Sequence, residues 1–222
     1  MPGFHLPHAW DDEPAVTPDD QVPFAPHPQA LPQGVANAAD FTDAAAREAQ
    51  RGLVIGGRTL LKAGTELYRV GHSEGAPNYG SAWWMQRAEL DRILHKGQRD
   101  TGWAARVMLA IAKAWGSDCR RQLYVKTVCD LYAWHGPGRP ITARGDPTTV
   151  HDPAAHWFPE DGLAQLYIPG LTRSTGGEPL WRRVFSQCDS VPFLFAGTQT
   201  NLATGQAFSG IPLPSGRRPG SI

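Results

Sequence analysis

The clearest candidate for chemistry is an arginine within residues 66–72, ELYRVGH. Leucine, tyrosine and valine favour a short strand here, and strand alternation places Tyr68 and Val70 on one face and Leu67 and Arg69 on the other. An arginine near a strand end is either a rim residue or a ligand for an anion. A guanidinium holds phosphate or carboxylate through forked, charge-assisted hydrogen bonds.

A polar loop and two adjacent tryptophans follow this strand. Residues 71–80 contain His72 among several turn-forming and hydrogen-bonding residues. Ser81 then leads into Trp83 and Trp84. Neighbouring side chains of an extended backbone point to opposite faces, so we expect only one indole to lie comfortably in the core. The other is either an edge aromatic or a flat surface against which a planar ligand can stack.

A glutamine in a late strand is the second polar group of interest. Residues 163–168, LAQLYI, predict a strand in which Leu163, Gln165 and Tyr167 share a face. The amide would then be half-buried and would need hydrogen-bond partners. Its structural role would be to bond a neighbouring backbone group, and its functional role would be to hold a sugar hydroxyl or a water.

Other polar groups predict neither a metal site nor a standard nucleotide motif. The chain lacks a phosphate-binding P-loop, a Gly-x-Gly-x-x-Gly that opens a helix, and a nucleophile elbow. Glu89, Asp91 and His95 lie on one predicted helix and indicate a solvated face. We expect no metal, and the less favoured metal-ligand candidates are His5, His8 and His27, and His151, Asp152 and His156.

Composition narrows the class of protein. The 222 residues are 41% hydrophobic, enough for one sizeable core, and 21 basic residues balance 21 acidic ones, which favours neither nucleic acid nor a membrane as partner. Three cysteines, far apart and odd in number, argue against a disulfide framework. We expect synthesis in the cytoplasm without a signal peptide. Export by machinery that needs no such signal remains open.

The chain divides into three parts by composition. Residues 1–35 are proline-rich and aperiodic, which predicts an extended arm or linker. Residues 36–208 form the expected folded domain, and residues 209–222 a loosely held tail. Within the domain, helical patterns come first and short strands with turn signals follow. These patterns predict an α+β fold with a mostly antiparallel sheet.

Within the domain, local signals predict the individual elements. We expect a helix over residues 40–51, capped by Asp40 or Thr42, and then a hairpin of residues 53–55 and 59–61 around two glycines. Helices over residues 86–96 and 102–115 should follow, the first ended by Gly97 and the second capped by Thr101. Trp103 and Trp115 are expected in the core. Strands over residues 123–128 and 131–134 come next.

The order of these parts resembles the ADP-ribosyltransferase-like fold that processes NAD. Leu-Tyr-Arg on an early strand, Gly-Ser-x-Trp, a helical insert, paired strands that end in Trp-His-Gly, and a late strand with glutamine are similar to its bacterial polymorphic toxin branch. That branch includes NAD glycohydrolases of the tuberculosis necrotizing type. The resemblance covers roughly residues 58–170 and implies a short-stranded split sheet with a helical insert.

The resemblance implies roles for particular residues. Arg69, Ser81 and Gln165 occupy the positions of the family's NAD-binding arginine, pocket serine and late polar residue, and would be catalytic. NAD or NADP would be the substrate, with no further cofactor, and the remaining contacts would come from Tyr68, His72, Trp83 and Trp84. Glutamine in place of the glutamate that transfers ADP-ribose to arginine favours hydrolysis, although transfer to another acceptor stays open.

The same resemblance implies partners and leaves two alternatives. A secreted toxin or effector that consumes NAD in bacterial competition would need a cognate immunity protein and a delivery module. The first alternative is a non-enzymatic binding or assembly protein of a phage or secretion device, in which the tryptophan pair anchors an interface. The second is a related domain that binds a nucleotide without cleaving it.

Overall fold

A computed structural model describes residues 36, 40–98, 100–139, 163–193, 198–200 and 207–209. Helices and antiparallel strands occur together, so the α+β class is confirmed. The helices are α1 (Asp43–Gln50), α2 (Arg87–Lys96), α3 (Thr101–Met108) and α4 (Trp181–Val184), with a 3-10 turn at Lys113–Trp115. The strands are β1 (Gly57–Leu61), β2 (Glu66–Gly71), β3 (Trp83–Trp84), β4 (Arg121–Thr127), β5 (Leu131–Pro137), β6 (Ala164–Tyr167), β7 (Ser174–Thr175), β8 (Glu178–Pro179), β9 (Phe185–Pro192), β10 (Thr198–Thr200) and β11 (Ala207–Ser209).

Two antiparallel sheets form the body of the fold. One has the strand order β1-β5-β6-β3 and the other the order β2-β4-β9, while β7-β8 and β10-β11 are separate pairs. Tyr68 of β2 and Met85, directly after β3, exchange two backbone hydrogen bonds of 2.9 Å. This bridge joins the two sheets at one point. The strands that carry Arg69 and Gln165 therefore lie on either side of β3.

The two faces of β2 pack into different parts of the core, as the alternation of side chains along a strand predicts. Leu67 lies in one apolar cluster with Trp84, whereas Tyr68 and Val70 lie in another. The second cluster includes Leu90, Ile93, Ala104, Ala105 and Met108 from α2 and α3. Each fully buried large side chain stabilises the fold by about 1.5–3 kcal/mol. Burial on both faces fixes the register of β2 and hence the direction of Arg69.

The helix ends follow the sequence signals with one correction. The Thr42 hydroxyl accepts a hydrogen bond of 3.2 Å from the backbone of Ala45 and caps α1, while Gly97 ends α2. The prediction that Thr101 caps α3 was wrong. The cap is Asp100, whose carboxylate accepts a hydrogen bond of 2.9 Å from the backbone of Trp103. Thr101 instead donates its hydroxyl hydrogen to the carbonyl of Gly97 at 3.0 Å.

The third helix is shorter than the sequence suggested. It ends at Met108 because Ala110 adopts a left-handed conformation with φ of 50°. The Ile111 N–H then donates a hydrogen bond of 2.9 Å to the Arg106 carbonyl, and the Ala110 N–H donates one of 3.2 Å to the Val107 carbonyl. This pair of bonds is a Schellman motif, which glycine usually forms. Position 110 is an alanine and not a glycine, so the sequence contains no stop signal there.

The tryptophans of this region were also predicted wrongly. Trp103 is 56% exposed and Trp115 is 58% exposed, so neither belongs to the core. The predicted helix would have run through Trp115, but the break after Met108 places that residue on a separate 3-10 turn. Trp103 lies on the outer face of α3, whose buried residues include Ala104, Ala105, Val107 and Met108.

The predicted hairpin around Gly56 and Gly57 does not form. Residues 53–61 run in one direction along β5: Leu53 bridges Gly138, the Gly56 N–H bonds the His135 carbonyl at 2.8 Å, and β1 continues the pairing. A long partner strand therefore outcompeted the local turn. The close approach of the two strands requires a glycine on β5, since a Cβ on Gly136 would overlap the backbone carbonyl of Val54.

Some sequence predictions lie outside the described residues. These are the proline-rich arm, the tail and the histidine groups within residues 1–35 and 151–156. Among the helices that the structure describes, none combines the length and apolar character of a membrane span.

Candidate functional site

A cleft of about 410 Å³ opens where the two sheets meet. Its floor consists of the buried residues Val70, Trp84, Met85, Leu109 and Gln165. Its wall includes the half-buried Arg69 and Trp83, and its rim the exposed Glu48, Arg51 and Trp115. The volume lies within the range of about 300–1,000 Å³ that is typical of small-molecule sites. The cleft joins an apolar, aromatic interior to a few polar groups.

Arg69 supplies the positive charge of the wall. Its Nη1 donates a hydrogen bond of 2.7 Å to the carbonyl of Asn78, in the loop that follows β2. Among the described residues, no carboxylate pairs with this guanidinium and no second acceptor contacts it. Burial lowers the pKa of Arg69 to about 10, so the group stays charged at neutral pH. A poorly solvated cation with spare donors favours an anionic ligand.

Trp84 closes the floor, and Ser81 fixes it from behind. The Trp84 indole N–H donates a hydrogen bond of 2.7 Å to the Ser81 carbonyl, and the ring packs edge-on against Phe185. The Ser81 hydroxyl accepts a bond of 3.2 Å from the backbone of Trp83. Ser81 is itself buried and does not line the cleft. These contacts orient the indole of Trp84 and fix the backbone of Trp83.

Trp83 forms part of the wall on the opposite face of β3. Its ring meets Tyr167 of β6 edge-on, with centroids 5.0 Å apart. Gly52 lies directly against the ring, and a Cβ at that position would overlap it. One tryptophan of the pair is therefore buried and its neighbour half-exposed, as the alternation predicted. Both contact the cleft.

Gln165 presents an oriented amide on the floor. Its Nε2 donates a hydrogen bond of 3.1 Å to the Leu109 carbonyl, which fixes the orientation of the amide. Within the described part of the chain, no donor contacts Oε1, and that atom is not sealed from solvent. The backbone partner that the sequence suggested is thus present, and one acceptor atom is left for a ligand or a water.

The rim was not anticipated from the sequence. Glu48 and Arg51 come from the end of α1 and form an exposed ion pair of 3.4 Å. Trp115 and Ser117 come from the loop after α3, which Arg106 holds by donating hydrogen bonds to the carbonyls of Ile111, at 3.1 Å, and Ser117. Sequence periodicity does not predict that α1 and this loop approach each other. Gly116 marked only the helix end that was predicted at Trp115, whereas α3 ends at Met108.

A polar cluster holds the loop that begins at His72. The carboxylate of Asp118 accepts hydrogen bonds from the hydroxyl and the backbone N–H of Ser73, and the Asp118 N–H bonds His72 Nδ1 at 3.2 Å. Burial raises the pKa of Asp118, but the hydrogen bonds from Ser73 and Arg120, together with the electrostatic effect of the neighbouring His72, outweigh it and lower the pKa to about 2. The carboxylate is therefore ionised at neutral pH.

The structure thus brings together four of the seven predicted site residues. Arg69, Trp83, Trp84 and Gln165 line one cleft. Ser81, as described above, lies behind the tryptophans. The remaining two lie outside the lining: the Tyr68 hydroxyl donates a hydrogen bond of 2.8 Å to Glu66 from a fully buried ring, and His72 belongs to the Asp118 cluster.

Neither a metal-binding arrangement nor a known relative points to a function. Across the residues that the structure describes, no group of three or more His, Cys, Asp or Glu side chains is arranged to hold a metal ion. The chain matches no protein-family model, no curated protein and no solved structure. The residues of the cleft are therefore the basis for assigning a function.

Proposed function

We propose that this chain is a glycohydrolase that cleaves the nicotinamide–ribose bond of NAD or NADP, with an ADP-ribosyltransferase-like fold. The observation that carries the proposal is the convergence of Arg69, Trp83, Trp84 and Gln165 on one cleft. These residues come from three strands that are separate in sequence. The split sheet, with β3 between the strands of Arg69 and Gln165, also supports this fold.

Arg69 would bind the diphosphate of the substrate. Its unpaired donors can form forked hydrogen bonds to phosphate oxygens, and the restricted solvent around it strengthens that attraction. Each hydrogen bond to a charged group contributes about 1.5–3 kcal/mol. The aromatic wall and floor would hold the planar nicotinamide and keep bulk water away from the scissile bond.

The reaction needs few protein groups. The bond between the anomeric carbon and the nicotinamide nitrogen breaks, and its electron pair leaves with nicotinamide as a neutral molecule. Water then forms the new bond to the oxocarbenium-like carbon and releases one proton to solvent, which yields ADP-ribose from NAD and ADP-ribose 2′-phosphate from NADP. The Oε1 atom of Gln165 would accept a hydrogen bond from the ribose or the water and so orient the attack. An amide is not basic, so its role is orientation and not proton removal.

The test is consumption of NAD and NADP by the purified protein, with nicotinamide and ADP-ribose measured as products. We expect turnover by the wild type and a loss of kcat/KM of about 10- to 100-fold in Arg69→Ala. Folding should not suffer, because the substitution removes a poorly solvated charge. Arg92→Ala, on the exposed face of α2, is the matched control and should retain full activity. Absence of turnover, even with cell lysate added to supply an acceptor, would reject the proposal.

A second candidate is a domain that binds a nucleotide without cleaving it. The observation in its favour is that, among the described residues that line the cleft, the one carboxylate is that of Glu48, at the rim. Binding of ADP-ribose without turnover of NAD would select this function.

A NAD-consuming toxin also implies partners. Because its activity would harm the cell that makes it, we propose a cognate immunity protein and a delivery module. Co-purification with proteins encoded beside it, and loss of NAD turnover in their presence, would test this proposal.

A further inference from the structure

Two large side chains of one region are exposed, but only one of them borders the cleft. Trp115 is 58% exposed and Trp103 is 56% exposed. Trp115 lines the rim of the cleft, whereas Trp103 lies outside the lining. Exposing an indole forgoes the free energy of burying a large apolar surface, so an exposed tryptophan at a pocket suggests contact with a ligand.

The loop that carries Trp115 is held on both sides. On one side, the Schellman motif at Ala110 fixes its start. On the other, Gly116 adopts a left-handed conformation with φ of 73° and ends the 3-10 turn. Arg106 bonds carbonyls before and after Trp115 and so ties the ends of the loop together. A fixed loop presents its aromatic ring with little loss of entropy on binding.

The position of Trp115 selects one part of the proposed substrate. NAD and NADP carry two planar rings joined through a diphosphate. In the proposed function the reacting ribose lies at Gln165 on the floor and the diphosphate at Arg69 on the wall. The second ring must then extend toward the rim. Stacking on an aromatic side chain suits any purine and contributes about 1–3 kcal/mol per base.

We propose that Trp115 is the platform on which the adenine ring stacks. This assignment rests on the proposed function and identifies a specificity-determining residue at the rim. It explains why the indole is kept at the surface beside the cleft. It also predicts that the contribution of Trp115 depends on the presence of a base in the ligand, which a purely structural role would not.

The test compares binding of ADP-ribose and of ribose 5-phosphate by calorimetry. We expect Trp115→Ala to raise the Kd of ADP-ribose about tenfold and to leave that of ribose 5-phosphate unchanged. Trp115→Phe should restore most of the affinity because it keeps an aromatic face. Trp103→Ala, equally exposed but outside the cleft, should change neither value.

The outcomes separate this inference from the proposed function. An unchanged Kd for ADP-ribose in Trp115→Ala, or an equal loss for both ligands, would overturn the platform. Absence of ADP-ribose binding by the wild type would also overturn it. If ADP-ribose binding depends on Trp115 but NAD is not turned over, the adenine platform is supported and only the proposed hydrolysis is rejected.

Discussion

The two sheets contribute different kinds of group to the cleft. The β1-β5-β6-β3 sheet supplies neutral groups, namely the indoles of Trp83 and Trp84 and the amide of Gln165. The β2-β4-β9 sheet supplies Arg69, the charged group of the wall. The neutral groups are fixed by packing and by hydrogen bonds to backbone, whereas Arg69 has one backbone partner in the described part of the chain.

This difference separates positioning from attraction. The groups of the first sheet cannot change charge near neutral pH, so they can only hold and orient a ligand. Arg69 can draw an anion to the cleft, because its charge is poorly solvated. In the proposed reaction, substitutions on the first sheet should therefore affect kcat, and substitutions on the second should affect binding.

The largest expected effect tests whether the groups of the β1-β5-β6-β3 sheet determine kcat. Gln165→Ala removes the oriented amide, and we expect kcat for NAD to fall about 100-fold or more while KM changes less than about threefold. Gln122→Ala is the matched control, because Gln122 is also a buried glutamine but lies on β4 and outside the cleft. Steady-state kinetics of both variants, with circular dichroism to verify folding, gives the answer. Full NAD turnover by folded Gln165→Ala would remove this residue from the mechanism.

A smaller effect should follow from moving the amide without removing it. A Cβ on Gly138 would lie 2.5 Å from Gln165 Nε2, while its other neighbours stay at 3.7 Å. Gly138→Ala should displace the amide and lower kcat about tenfold. Gly56→Ala, directly before β1, places its Cβ no closer than 3.4 Å to any neighbour and should leave kcat unchanged. Equal activity of the two variants would contradict the role given to the orientation of Gln165.

The smallest expected effect is on the acid stability of the fold near the β2-β4-β9 sheet. Asp118, just before β4, has a pKa lowered to about 2, so its ionised form stabilises the fold above pH about 4 and that stability is lost as the pH falls toward 2. In Asp118→Asn this part of the acid sensitivity should vanish, with a lower Tm at pH 7. Asp91→Asn breaks an exposed ion pair with Arg87 and should cost less than about 1 kcal/mol. Thermal unfolding of the wild type, Asp118→Asn and Asp91→Asn between pH 2 and 7 measures how Tm depends on pH in each protein. If Tm falls in parallel in all three as the pH is lowered, Asp118 is not a source of the acid sensitivity.

Local patterns in the sequence predicted the groups that depend on strand alternation. The faces of β2, the burial of one tryptophan in the pair and the backbone partner of Gln165 all follow from a period of two residues combined with the cost of an unbonded buried amide. These features depend on near neighbours in the chain or on any adjacent backbone, so no knowledge of the tertiary fold was required.

The rim could not be predicted in the same way. Trp115 is exposed because Ala110 breaks the helix in a conformation that alanine seldom adopts, and the sequence gives no sign of this. Arg51 and Glu48 look like any surface pair of a short helix, and only the packing of α1 brings them to the cleft. The failed hairpin has the same cause, since pairing with β5 overrode a local turn signal.

The contact between Gly52 and the ring of Trp83 constrains how this sequence can vary over time. Any side chain at position 52 would occupy the space of the indole, so a tryptophan at position 83 requires a glycine at position 52. A lineage could replace the tryptophan with a smaller residue first and lose the glycine later. The reverse order would pass through a chain with a displaced wall. Among relatives, positions 52 and 83 should therefore change together, with the tryptophan replaced before the glycine.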